Sequence, residues 1–149
     1  RYSCLGKEYI YKIWNEPARN PFLRNRALHY WYPLDLSRMN EAAAHYIGKH
    51  DFTSFCTSDA RDRGDMCRTV TRAGIQRDGG LVTFTVAADG FLYNMVRIMV
   101  GTLLYVAQGK LQPEQIPEIL AARDRTAAGP TAPPCGLYLN RVFYGEGPV

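Results

Sequence analysis

With 149 residues, 46% of them hydrophobic, the chain is long enough for one globular domain with its own core. Arg97 interrupts the longest apolar run, which excludes a membrane span, and a formal net charge of +4 admits an anionic partner without requiring one. Cys4, Cys56, Cys67 and Cys135 lack a CxxC spacing and His29, His45 and His50 match no ligand pattern. These spacings argue against a disulfide framework or a metal site and for reduced thiols in the cytoplasm.

The opening Arg1-Tyr2-Ser3-Cys4-Leu5-Gly6-Lys7 has neither a methionine nor a signal-peptide pattern and reads as part of something longer. Residues 7–14 alternate and are rich in Tyr, Ile and Trp, which predicts a strand. Tyr9, Tyr11 and Ile13 share one face; Glu8, Ile10, Lys12 and Trp14 share the other. Residues 15–33 are proline-punctuated and irregular, with an aromatic patch at His29-Tyr30-Trp31-Tyr32. Asp35 is the expected N-cap of a helix with Leu36, Met39, Ala43 and Tyr46 or Ile47 on its apolar stripe, stopped by Gly48. A short hydrophobic-polar alternation at residues 51–55 precedes a polar loop over 57–65. Residues 68–76 and 81–88 read as two strands around Asp78-Gly79-Gly80, a hairpin signal.

The run Gly90-Phe91-Leu92-Tyr93-Asn94-Met95-Val96-Arg97-Ile98-Met99-Val100-Gly101 reads as the first half of an apolar helix ending near Gln108 and Gly109. Arg97 interrupts it. Its helical neighbours Tyr93, Asn94, Val100 and Gly101 include no acid, so no local pair neutralises the guanidinium. Either Arg97 reaches solvent past its apolar stem, or it meets a carboxylate or phosphate from elsewhere. A further helix is expected over 113–123 with Ile116, Ile119 and Leu120 as its stripe, followed by a Gly/Pro/Ala-rich loop over 124–134. Residues 136–144 close the chain as a strand, and 145–149 read as a frayed end. Strand, helix, hairpin, helix, helix and strand in that order predict an α+β domain, with an antiparallel or mixed sheet covered by helices on one face.

Two segments gather basic residues. Arg61-Asp62-Arg63 interleaves with acids and reads as a solvated loop. Arg19-Asn20-Pro21-Phe22-Leu23-Arg24-Asn25-Arg26 mixes arginines, asparagines and an aromatic, which suits either phosphate contact or a plain surface loop.

Taken together, several segments resemble one family, the tRNA pseudouridine synthases of the A type. They are Gly90 to Gly101, Asp124-Arg125 with Ala128-Gly129-Pro130-Thr131-Ala132-Pro133-Pro134, and Gly136-Leu137-Tyr138-Leu139. Arg1-Tyr2-Ser3, Lys7-Glu8-Tyr9-Ile10-Tyr11, Asp51-Phe52-Thr53-Ser54-Phe55 and Arg68-Thr69-Val70 fit the same pattern, in order and over nearly the whole chain. The resemblance implies a pseudouridine synthase catalytic-domain fold, with residues 1–149 as the C-terminal portion of a longer enzyme. That enzyme isomerises uridine to pseudouridine in the tRNA anticodon stem-loop with no cofactor or metal, as a cytoplasmic homodimer.

The resemblance further implies that an aspartate in an Arg-Thr-Asp motif detaches the base, which rotates and rejoins through C5. No Arg-Thr-Asp followed by Gly-Val-His occurs in this chain, and Asp51, Asp62, Asp65, Asp89 and Asp124 have no such surroundings. The nucleophile therefore belongs to a segment upstream of Arg1, and the chain alone is expected to be inactive. Tyr9 matches the tyrosine that stacks on the target base and assists removal of the C5 proton. Arg97 matches the arginine that pairs with the aspartate, and Leu137 an apolar residue packed against the base. With that aspartate outside the chain, the resemblance implies an unpaired buried charge, so that Arg97→Met leaves this chain neutral or more stable. Without the resemblance, Tyr9 and Leu137 read as core strand residues. Asp124 and Arg125 read as the close of a helix and the start of a rigid loop. An RNA-binding module or a dimerisation domain without catalysis remains the alternative, the latter resting on the aromatic patch at residues 30–32.

Overall fold

In the computed structural model, residues 3–57 and 64–145 are described. The second basic cluster at 61–63, most of the 57–65 loop and the end beyond residue 145 lie outside them.

The sheet is built around β1 (Ser3–Trp14). β5 (Leu81–Ala88) runs antiparallel along one edge of β1, from Lys7 opposite Ala88 to Trp14 opposite Leu81. β6 (Leu137–Gly145) pairs antiparallel with β1 from Ser3 to Tyr11, and the two-residue β2 (Leu28–His29) pairs parallel with Ile13 and Trp14. β4 (Cys67–Asp78) and β3 (Gly48–Asp51) complete the order β2-β1-β5-β4-β3, with β6 joined to β1. The sheet is mixed. β4 and β5 meet through Gly79-Gly80, where a φ of 59° at Gly79 suits a residue without a Cβ.

Among the described residues, three helices cover one face: α1 (Leu36–Ala44), α2 (Met95–Ala107) and α3 (Ile116–Ala122). Tyr11, Ile13, Phe84 and Val86 from the sheet are buried with Met39, Met99, Leu103 and Ile116 from the helices. The alternation read from residues 7–14 thus points the expected side chains inward. Burying four such side chains from the sheet contributes on the order of 1.5–3 kcal/mol each. No helix among the described residues is long and apolar enough to cross a membrane.

The α+β arrangement follows the sequence reading, while several boundaries move. The Asp35 side chain caps α1 as expected, accepting from the Arg38 N–H at 3.1 Å. The helix nevertheless stops at Ala44, four residues before Gly48. There the His45 and Tyr46 N–H groups bond back to Ala42 and Ala43, tightening the last turn. Gly48, at φ 111°, opens β3, because pairing with Val70 draws it into the sheet. Residues 53–55 form a single 3-10 turn rather than a continued alternation. α2 begins at Met95 and not near Gly90, because Phe91 turns inward onto Tyr9 and Asn94 takes a left-handed conformation. Pro113–Gln115 is a 3-10 turn leading into the shorter α3. β2 escaped the sequence reading because two residues carry no periodicity.

Candidate active site

Strand β1 aims Tyr9 and Tyr11 to the helical side, and β6 sets Leu137 opposite Tyr11 in the neighbouring register. Tyr9 and Leu137 therefore lie on one face as diagonal neighbours. The chain leaves β5, turns through residues 89–94 and enters α2. On the way Phe91 meets the Tyr9 ring edge-on, with centroids 5.1 Å apart and planes at 89°. Tyr9, Leu137 and Arg97 then line one cavity of about 240 Å³, together with Phe91, Leu92 and Tyr93. The three site residues expected from sequence come together in space. Asp124 and Arg125 do not line it.

Arg97 falls in the first turn of α2 and is half-buried. Its Nε–H donates to the Ala132 carbonyl at 2.7 Å and its Nη1 to Asn94 Oδ1 at 3.1 Å. Nη2 makes no hydrogen bond, and Arg97 makes no ion pair, among the described residues. The first turn of α2 holds no acidic side chain. A guanidinium beside the positive end of a helix macrodipole leaves a strongly electropositive spot, suited to a carboxylate. Arg97 is thus neither wholly unpaired nor neutralised. Its hydrogen bonds fix its direction, and its charge is left over.

Asn94 is the residue that sequence reasoning missed. At φ 61° and ψ 11° it occupies the left-handed region, which Asn tolerates better than most residues. Its Oδ1 holds Arg97, while its Nδ2 donates to Thr57 Oγ1 at 2.9 Å. Its place just before an apolar helix was the available signal, and the expectation of a helix from Gly90 onward concealed it.

The 128–134 loop, none of whose residues lines the cavity, stands as a wall behind Arg97 and is clamped from three sides. From α2, Thr102 Oγ1 accepts from the Gly129 N–H at 2.9 Å, and a Cβ on Gly101 would come within 1.7 Å of the Pro130 carbonyl. Glycine at 101 is therefore demanded by close approach. From the sheet, the Tyr11 hydroxyl donates to the Pro133 carbonyl at 2.6 Å. Burial raises the Tyr11 pKa well above the ordinary tyrosine range, Cys135 adds to the rise and Arg97 opposes it, so the phenol stays a donor. From the side, Arg125 donates to the Gly129 carbonyl at 2.7 Å and to Thr131 Oγ1 at 3.1 Å. Arg125 thus shapes the wall from outside the cavity. Asp124 accepts from the Thr126 backbone and hydroxyl and starts the turn Arg125–Ala127 instead of ending a helix.

The cavity can hold a planar ring between an aromatic ring and an aliphatic side chain, with a cation at one end. It contains no carboxylate, and no cluster of three or more metal-ligating side chains occurs among the described residues.

A family model described as tRNA pseudouridine synthase matches residues 42–145. A protein named tRNA pseudouridine synthase A from Geobacillus kaustophilus is 49% identical over 146 residues, covering 98% of this chain and 56% of that protein. Proteins of the same name from Acetivibrio thermocellus and Bacillus pumilus are 44% and 48% identical over 144 residues, covering 97% of this chain and 59% and 58% of theirs. The chain spans less than two thirds of the length of these curated relatives.

Proposed function

Because the chain belongs to the tRNA pseudouridine synthase family, we propose that it supplies the base-holding side of a site that isomerises uridine to pseudouridine in the tRNA anticodon stem-loop. The observation that carries this reading is the convergence of Tyr9, Arg97 and Leu137 on one cavity, with the Arg97 charge left without an acidic partner among the described residues. In this reading the missing carboxylate is the aspartate of an Arg-Thr-Asp segment, which docks on Arg97. The N1–C1′ bond of the nucleotide breaks, the detached base turns, and C5 bonds to C1′. The C5 proton leaves and N1 gains one, so the product is an isomer and no redox partner or cofactor is required.

Tyr9 stacks on the base, and its hydroxyl, which makes no hydrogen bond among the described residues, assists departure of the C5 proton. Leu137 closes the opposite side. Arg97 holds the aspartate in line and keeps it ionised, as an adjacent cation does. A homodimer and action in the cytoplasm belong to the same proposal. The exposed Trp31 and Tyr32 support a protein contact, and a tRNA substrate supports the location.

The test uses an extended protein, in which this chain follows a family segment bearing Arg-Thr-Asp. Tritium release from C5-labelled tRNA is expected from it and is expected to vanish when that aspartate becomes asparagine. No release from the extended protein overturns the reading.

A further inference from the structure

A second cleft, of about 700 Å³, lies between the 19–26 loop and the ends of β1 and β2. Arg19, Asn20, Arg24 and His29 line it with Trp14 and Cys135, and no acidic residue among the described residues does. Arg19, Arg24 and Arg26 form no ion pair among the described residues. Elsewhere on the chain, Arg72 meets Glu8 at 3.2 Å and Arg123 lies 3.7 Å from Asp51. This loop keeps its cations unpaired.

Its backbone is held in place. The Asn20 side chain accepts from the Phe22 N–H at 3.0 Å, and the Arg26 and Ala27 N–H groups bond to the Leu23 carbonyl at 2.9 and 3.2 Å. The Trp14 indole donates to the Ala18 carbonyl at 2.9 Å, and the Tyr138 hydroxyl to the Arg26 carbonyl at 2.7 Å. The arginines are therefore presented on a fixed frame, which reduces the entropy lost when they engage an anion.

The cleft is next to the base cavity. Cys135 lines the one and Leu137 the other. Two residues of chain span at most about 7 Å, so the two sites approach each other along this segment.

On the reading given above, we propose that this cleft binds the sugar–phosphate backbone of the RNA next to the nucleotide whose base enters the cavity. Arg19 and Arg24 contact phosphates there, and Trp14 and Asn20 line the walls. Phosphate contacts of this kind position a nucleic acid without reading its sequence.

The test is a filter-binding titration of an anticodon stem-loop RNA with the extended protein across a salt series. It compares wild type with a double Arg19→Ala, Arg24→Ala variant and a double Arg19→Lys, Arg24→Lys variant. The alanine pair should weaken binding and lower the slope of log affinity against log salt by about 0.7–0.9 for each phosphate no longer neutralised, and the lysine pair should retain most of that slope. An alanine pair with wild-type affinity and slope overturns the cleft assignment. Tritium release by the wild-type extended protein is read in parallel. Its absence overturns the isomerase reading, whereas the salt slope alone decides the cleft.

Discussion

The Arg97 Nε–H donates to the Ala132 carbonyl at 2.7 Å, and the Ala132 N–H returns a bond to the Arg97 carbonyl at 3.0 Å. This reciprocal pair ties the first turn of α2 to the wall loop. It couples the direction of the guanidinium to the position of that loop. It also reverses what an unpaired charge predicts: Arg97→Met deserts the Ala132 carbonyl and Asn94 Oδ1 and should destabilise the chain by about 1–3 kcal/mol. A denaturant melt checks this through the midpoint. A midpoint unchanged or raised in Arg97→Met returns the residue to the status of an unsatisfied buried cation.

Gly101 admits the Pro130 carbonyl to the surface of α2. Gly101→Ala places a methyl where that oxygen sits, and the oxygen belongs to backbone pinned by Tyr11, Thr102 and Arg125. Overpacking of this kind costs about 1–3 kcal/mol, despite the better helix propensity of alanine. The reading is again a denaturant midpoint, and a stabilised Gly101→Ala would show that the loop moves aside freely.

Tyr9 carries two proposed roles that substitution separates. In the extended protein, Tyr9→Phe keeps the ring and should keep RNA affinity while turnover is lost. Tyr9→Leu should lose turnover and also weaken binding, since a base–aromatic stack is worth about 1–3 kcal/mol. Filter binding beside tritium release reads both, and full turnover in Tyr9→Phe leaves the ring with stacking alone.

Asp124 links acid sensitivity to the wall. Hydrogen bonds from the Thr126 hydroxyl and then its backbone N–H hold its carboxyl below the ordinary carboxylate range. A pKa lowered by folding gives a contribution that is present above the unfolded value and is lost as pH falls through the folded one. Melts of wild type and Asp124→Asn should therefore converge on acidification below the normal aspartate range. A constant separation between them at every pH would contradict this.

The sheet and its helical cover were legible because residues 7–14 alternate, because Asp78-Gly79-Gly80 marks a hairpin between two strands, and because Asp35 is a strong cap. The cavity was legible only through resemblance. Tyr9 and Leu137, taken as residues, differ in no way from core strand positions, and nothing local sets the register that makes them diagonal neighbours. Arg97 was visible as an anomaly. Its actual partners were not, since one is a main-chain carbonyl 35 residues away and the other depends on the left-handed turn at Asn94. Side-chain type does not encode such contacts. The 19–26 cluster left open whether its arginines face an anion or open water, and the acid-free cleft beside the base cavity favours the anion.

Whether this chain lines the site but supplies no nucleophile is decided by tritium release from C5-labelled tRNA by the purified 149-residue chain at stoichiometric concentration, next to the extended protein. General acid–base help contributes about 10²–10⁴-fold and does not replace the step that breaks a stable glycosidic bond. Release is expected from the extended protein and none from the chain alone. Release by the chain that persists after removal of host synthase would contradict this, and Asp89, just before the turn into α2, would be the first residue to substitute.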